Sequence, residues 1–238
     1  MKSKEKIAVD YIFFRNPSVY AIVILPIFSG IFSVFVNPVS NSISEMESIE
    51  LFNLQQYLII NNFMMFSKLI LVLVLAFFIT FKWSSMIKSG AYGFWLTQRV
   101  DRTKFYIRTY FYVTIYVILS YFIGLLLLIH PIGLKLSYTQ FLYLFSLILV
   151  NILLIVSCSI LFAELITYPE VAALSFTIVF GILIIWVNKP STLIHQLIKS
   201  ELHYAETNIF FPMIVPLLVS LACIGVSFIS HIKKPVEL

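Results

Sequence analysis

Apolar positions in this chain follow neither a strand's period of two nor the 3.6-residue stripe of a helix on a water-covered surface. They gather instead into six long runs, at roughly 19–36, 63–81, 109–129, 139–163, 171–187 and 209–230. At about 1.5 Å of rise per residue, each run reaches about 25 Å or more, close to the thickness of a hydrocarbon core. Inside lipid every backbone donor must be satisfied within its own segment, so such runs are expected to be helices. The pattern predicts an all-α membrane protein with six transmembrane helices, a single transmembrane domain covering 1–238.

Three pieces between or before the runs have a pattern of their own. Residues 7–14 are apolar and aromatic with Lys6, Asp10 and Arg15 around them, which suits a helix lying along the inner interface before Pro17 opens the first span. Residues 84–108 form the largest hydrophilic feature. In 189–208, Leu193, Ile194, Leu197, Ile198 and Leu202 recur at helical spacing after Pro190 and a possible cap at Ser191 or Thr192. This predicts a short amphipathic helix on the outer surface before the last span.

Composition agrees: 61% of the 238 residues are hydrophobic and 11% charged, and the mean hydropathy is +0.99. A water-soluble domain of this length needs more charge than that, and no stretch is left over for a separate catalytic domain. The net charge of +5 does not indicate nucleic acid, because the basic residues are placed by topology. One side holds Lys2, Lys4, Lys6, Arg15, Lys82, Lys88, Arg99, Arg102, Lys104, Arg108, Lys233 and Lys234; the other holds Lys68, Lys135, Lys189 and Lys199. This excess predicts a multi-pass protein of the cell membrane with both termini in the cytoplasm. Glu45, Glu47 and Glu50 in the first external loop fit that orientation, and Trp83 and Trp186 are expected as interfacial aromatics at span ends. The N-terminus is not read as a cleavable signal peptide, so the first span is expected to remain as an anchor.

Candidate chemistry is sparse. Within the predicted spans stand hydroxyl residues such as Ser29, Ser33, Ser120, Ser157, Ser159, Thr177, Ser220 and Ser227, together with Asn151, but no acid and no histidine. Small hydroxyl residues in such helices pack helix against helix or bond to the backbone. No intramembrane aspartyl pair, Ser–His dyad or H-E-x-x-H helix is present, which argues against an enzyme. Cys158 and Cys223 lie in apolar runs and are expected as buried small hydrophobes. His195, Glu201, His203 and Glu206 cluster outside the spans, where imidazole and carboxylate could hold a metal ion. Their spacing fits no metal template, and an ordinary polar surface is the expectation. Glu164 and Glu170 bracket the tight turn between the fourth and fifth spans and are expected as solvated acids.

The connection from Lys88 to Tyr106 is richer. Ser89 could cap a short helix carrying Tyr92, Phe94, Trp95 and Leu96, and Asp101 a second helix opening with Arg102, Thr103 and Lys104. Large aromatics on a surface loop need a partner protein or a membrane to cover them. Gly90, Gly93, Leu96, Thr97, Val100, Arg102 and Lys104, with Arg15-Asn16-Pro17 and Pro26 near the start, resemble the pattern of ABC-2-type permeases, the membrane subunits of type V ABC exporters. Arg99 stands where that pattern has proline, and Lys88-Ser89 where an acid is usual.

The resemblance implies an ATPase-coupling loop built from Ser89, Gly90, Tyr92, Gly93, Phe94, Trp95, Leu96, Arg99, Arg102 and Lys104. It implies an interfacial N-terminal opening at Arg15 and Pro17. It also implies cytoplasmic ABC ATPase subunits as partners, and a second permease subunit, either a copy or a paralogue. The chain has no G-x-x-x-x-G-K-[ST] run, so ATP and Mg are expected on the partner and no cofactor on this chain. The missing intramembrane charge suggests an amphipathic or lipidic cargo moved outward. The alternative is a non-transporting assembly or sensor subunit that binds a cytoplasmic partner through its basic loop.

Overall fold

Backbone groups in an apolar run can bond only to one another, and the chain answers with helices. The structure, a computed structural model, describes residues 24, 28, 49–88, 101–132, 137–187, 192–203 and 210–233. Among these every regular element is helical and none is a strand. Helix α1 (Ile49–Leu75) passes through a six-residue π-helical stretch (Ala76–Phe81) into α2 (Lys82–Lys88), forming one continuous rod. Then come α3 (Arg102–Ile132), α4 (Tyr138–Leu165), α5 (Pro169–Trp186) and the short α6 (Leu193–Ile198). A 3₁₀ turn at Ser200–His203 follows, and α7 (Phe210–Lys233) comes last.

Among the described residues, five stretches are long and apolar enough to cross a membrane: Ile60–Lys88, Arg102–Ile123, Tyr138–Leu165, Pro169–Trp186 and Phe210–Lys233. The expected first span falls outside the described residues except for Ile24 and Phe28, which are helical and exposed. The expected interfacial helix at 7–14 lies outside them altogether.

Local chemistry explains where the helices start. Asp101 Oδ1 accepts from the backbone N–H of Thr103 at 2.9 Å and of Lys104 at 3.3 Å, so α3 opens on a side-chain cap as anticipated. Ser137 and Gln140 form a reciprocal capping box on α4, and Pro169 stands in the first turn of α5. The connection expected at 84–108 is shorter than its polarity suggested. Ser84 to Lys88 belong to α2 and Arg102 to Arg108 to α3, because polar side chains do not stop a helix whose backbone is already paired.

Successive long helices run antiparallel, so α2, the turn at 166–168 and the end of α7 meet where α3 begins; we call this the loop end. The core is apolar, with Phe63, Leu75, Val117, Leu147, Val156 and Phe176 fully buried. Outward-facing positions are apolar as well. Leu174, Ile178 and Ile182 on α5, and Leu218, Leu221 and Ile229 on α7, are about half exposed or more. A bundle apolar on both sides suits lipid and is unfavourable in water. The π stretch inserts an extra residue and turns the following face by about 100°. Ile79 and Thr80 within it and Trp83 just after it point inward, and Thr80 Oγ1 donates to the Ser159 carbonyl of α4 at 3.2 Å.

Candidate functional site

Two polar clusters are buried in this apolar bundle, roughly 20 Å apart along α4 by helical rise from Asn151 to Glu164. The first forms where α6 meets α1 and α4. A helix of six residues leaves its last carbonyls without intrahelical donors, and here side chains from other helices supply them. Lys68 Nζ, on α1, donates to the Ile198 carbonyl at 2.5 Å and to both carboxylate oxygens of Glu201 at 2.7 Å. Asn151 Nδ2, near the middle of α4, donates to the Leu197 carbonyl at 3.1 Å and the Ile198 carbonyl at 2.9 Å. Lys68 and Glu201 are only 2% and 1% exposed, so the pair is desolvated and each charge depends on the other.

Beside this pair, His195 Nδ1 and His203 Nε2 are 3.2 Å apart, with edge-to-face rings, and both side chains are buried. Lys199 is buried too; desolvation holds its ammonium below the usual lysine pKa, and the Glu201 charge opposes that shift. The first turn of α6 is capped by Thr192, whose hydroxyl accepts from His195 N.

The second cluster sits at the loop end. Glu164, on the last turn of α4, accepts from Trp83 Nε1 of α2 at 2.6 Å and lies 2.7 Å from His231 Nδ1 of α7. With Glu164 ionised, Nδ1 of His231 is the donor. The rings of Trp83, Phe105 and Tyr106 surround His231 with centroids 5.6, 6.5 and 5.3 Å away, bringing α3 into the same knot. Ser84 Oγ donates to the Ile166 carbonyl at 3.1 Å, and Arg102 Nη1 donates to the Ile232 carbonyl at 3.1 Å. Lys88 Nζ stands 4.7 Å over the Tyr168 ring. Four helices are thus fastened to one another at the loop end.

The sequence expectations fare unevenly here. Of the coupling-loop residues, Arg102 and Lys104 are described: Arg102 bonds α7, and Lys104 lies 3.7 Å from Asp101 in an exposed pair. Ser89, Gly90, Tyr92, Gly93, Phe94, Trp95, Leu96 and Arg99, like Arg15 and Pro17, lie outside the described residues. The expected hydroxyl behaviour holds for Ser157, Ser159, Thr177 and Ser227, each bonding a carbonyl of its own helix.

Four expectations are corrected. The bundle is not free of charge: Lys68 and Glu201 pair inside it, which removes the ground for reading the cargo as lipidic from absent charge. Glu164 is buried rather than solvated, because Trp83 and His231 both bond it, whereas Glu170 is exposed as expected. Trp83 is fully buried instead of interfacial, while Trp186 is 80% exposed at its span end. The short helix and the turn that follows it bury His195, Lys199 and Glu201 and leave Leu193 and Ile194 exposed, so this is no ordinary polar surface.

His195 and His203 do come together while Glu201 pairs with Lys68, and among the described residues no group of three or more His, Cys, Asp or Glu is arranged to hold a metal ion; Glu206 lies outside them. Lys68 was the readable signal for the first cluster, a lone charge within an apolar run. Nothing local announces that Glu164 would find Trp83 and His231. A scan against protein-family models and searches of curated proteins and of solved structures find no match to this chain.

Proposed function

We propose that this chain is the transmembrane permease subunit of an ATP-binding cassette exporter of the ABC-2 type, moving a substrate outward with ATP hydrolysed, in the presence of Mg, by separate cytoplasmic subunits. In this reading the chain sits in the cell membrane with both termini inside. It has a sixth span at 19–36 and an interfacial helix before it, and it faces a second permease subunit. Residues 89–101 dock into the ATPase through Tyr92, Phe94 and Trp95.

The observation that carries the reading is the knot at the loop end. The connection at 89–101 joins α2 and α3, and both are tied to α4 and α7 through Trp83–Glu164–His231 and Arg102–Ile232. A push on the connection therefore reaches four helices at once, unless the buried bonds of Glu164 and the exposed Arg102–Ile232 bond break. A loop that served only to orient the chain, or to tether a passive partner, would need no such fastening. The Lys68–Glu201 pair, some 20 Å further along the rods, would be the inner joint that holds α6 against α1 and α4 while the ends move.

A photo-crosslinking residue at position 95 tests this in native membranes. The expected product is an adduct with a protein that an azido-ATP probe also labels. An adduct only with proteins that the probe does not label would refute the reading.

A further inference from the structure

Cys158 on α4 and Cys223 on α7 belong to neither polar cluster, and both are free thiols. They are 65 positions apart in the chain, yet their sulfurs lie 3.6 Å apart across the α4–α7 seam. A bond across the seam and two tyrosine hydroxyls of α3 hold that register. Ser157, adjacent to Cys158, pairs with Ser220 at 2.8 Å and with the Tyr110 hydroxyl at 3.0 Å. Ser227, one turn beyond Cys223, pairs with the Tyr106 hydroxyl. Ser220, Cys223 and Ser227 are spaced three and four residues apart, so they share one face of α7. That face is pinned above and below the thiol, and Cys223 cannot rotate away from Cys158 without breaking these bonds.

A disulfide places its sulfurs about 2.05 Å apart, so the pair must close by about 1.5 Å, a side-chain adjustment rather than a helix movement. We propose that Cys158 and Cys223 form a dithiol modification site, converted to an intrachain disulfide by a two-electron oxidant of the quinone or azo class that enters the bilayer. Each thiol gives up its hydrogen and the two sulfurs join. The two electrons and two protons pass to the acceptor, a quinone becoming a hydroquinone or an azo group becoming a hydrazine. The oxidant has to be apolar because Cys158 is buried and Cys223 half-buried within helices long enough to span a membrane. The product staples α7 to α4 through a covalent bond where only hydrogen bonds and packing join them before.

The test uses the full chain in membrane vesicles, reduced and then treated with the azo compound diamide. The sample is unfolded in N-ethylmaleimide, digested and weighed by mass spectrometry. The expected result is a linked peptide joining positions 158 and 223, two hydrogens lighter than its parts, with loss of maleimide from both cysteines. Dithiothreitol restores both labels, and Cys158→Ser leaves Cys223 fully labelled after diamide. Maleimide on both cysteines regardless of diamide overturns the proposal, as does Cys223 joined to a second copy of the chain. The wild-type readout stands even if the Cys158→Ser chain fails to fold.

Discussion

Replacing Lys68 with methionine keeps most of the side chain's length and apolar stem and removes the ammonium. The Glu201 carboxylate then loses the donor that meets both its oxygens at 2.7 Å, in a place where it is 1% exposed and water cannot substitute. Removing one member of a buried pair typically costs about 3–5 kcal/mol, because the remaining charge is left desolvated. Lys68→Met and Glu201→Leu should each fall in that range. The double variant should lie within about 1 kcal/mol of the unaltered chain, since replacing both charges with apolar groups is often neutral or stabilising. The coupling should therefore reach about 5 kcal/mol or more, above the roughly 0.5–3 kcal/mol that neighbouring residues ordinarily show. Equilibrium unfolding in SDS, followed by circular dichroism on all four chains, measures it. Single variants that each cost under about 1 kcal/mol and simply add would refute the picture of a desolvated, mutually dependent pair.

Three further outcomes follow from the same contacts. Trp83→Phe keeps the ring but loses the bond to the Glu164 carboxylate, and should lower stability by about 1.5–3 kcal/mol in the same SDS titration. Asn151→Leu takes its donor from the Leu197 and Ile198 carbonyls at the end of α6; amide exchange in 193–203 should speed up while exchange in the middle of α4 stays slow. Asp101→Ala removes the α3 cap and should cost about 1 kcal/mol, with faster amide exchange confined to the first turn of α3.

The apolar runs located most of the long helices well. The runs at 139–163, 171–187 and 209–230 correspond to Tyr138–Leu165, Pro169–Trp186 and Phe210–Lys233. The run at 63–81 fell short of a helical rod that extends from Ile49 to Lys88, because Asn53, Gln55, Gln56, Asn61 and Asn62 lower hydropathy without preventing helix formation. Hydropathy reports partitioning into lipid, whereas helix continuity depends on backbone pairing.

The short helix before α7 was legible from Pro190 and the leucine spacing, but its orientation was not. Amphipathic spacing says that two faces differ, not which one is buried. That choice depended on Lys68, more than 120 residues earlier in the chain. Trp83 presents the same limit: an aromatic at a span end ordinarily seeks the interface, and only the distant Glu164 and His231 give its indole a buried acceptor and neighbours.

The central claim is that residues 89–101 couple this bundle to an ATPase, and ATP hydrolysis accompanying the purified chain tests it most directly. The chain is extracted from its native membrane in mild detergent and purified by affinity and size. Vanadate-sensitive ATP hydrolysis should elute with it, and Trp95→Asp should abolish that activity while leaving the chain's own unfolding midpoint unchanged. A chain that elutes without ATP hydrolysis, or whose activity survives both Phe94→Asp and Trp95→Asp, contradicts the account.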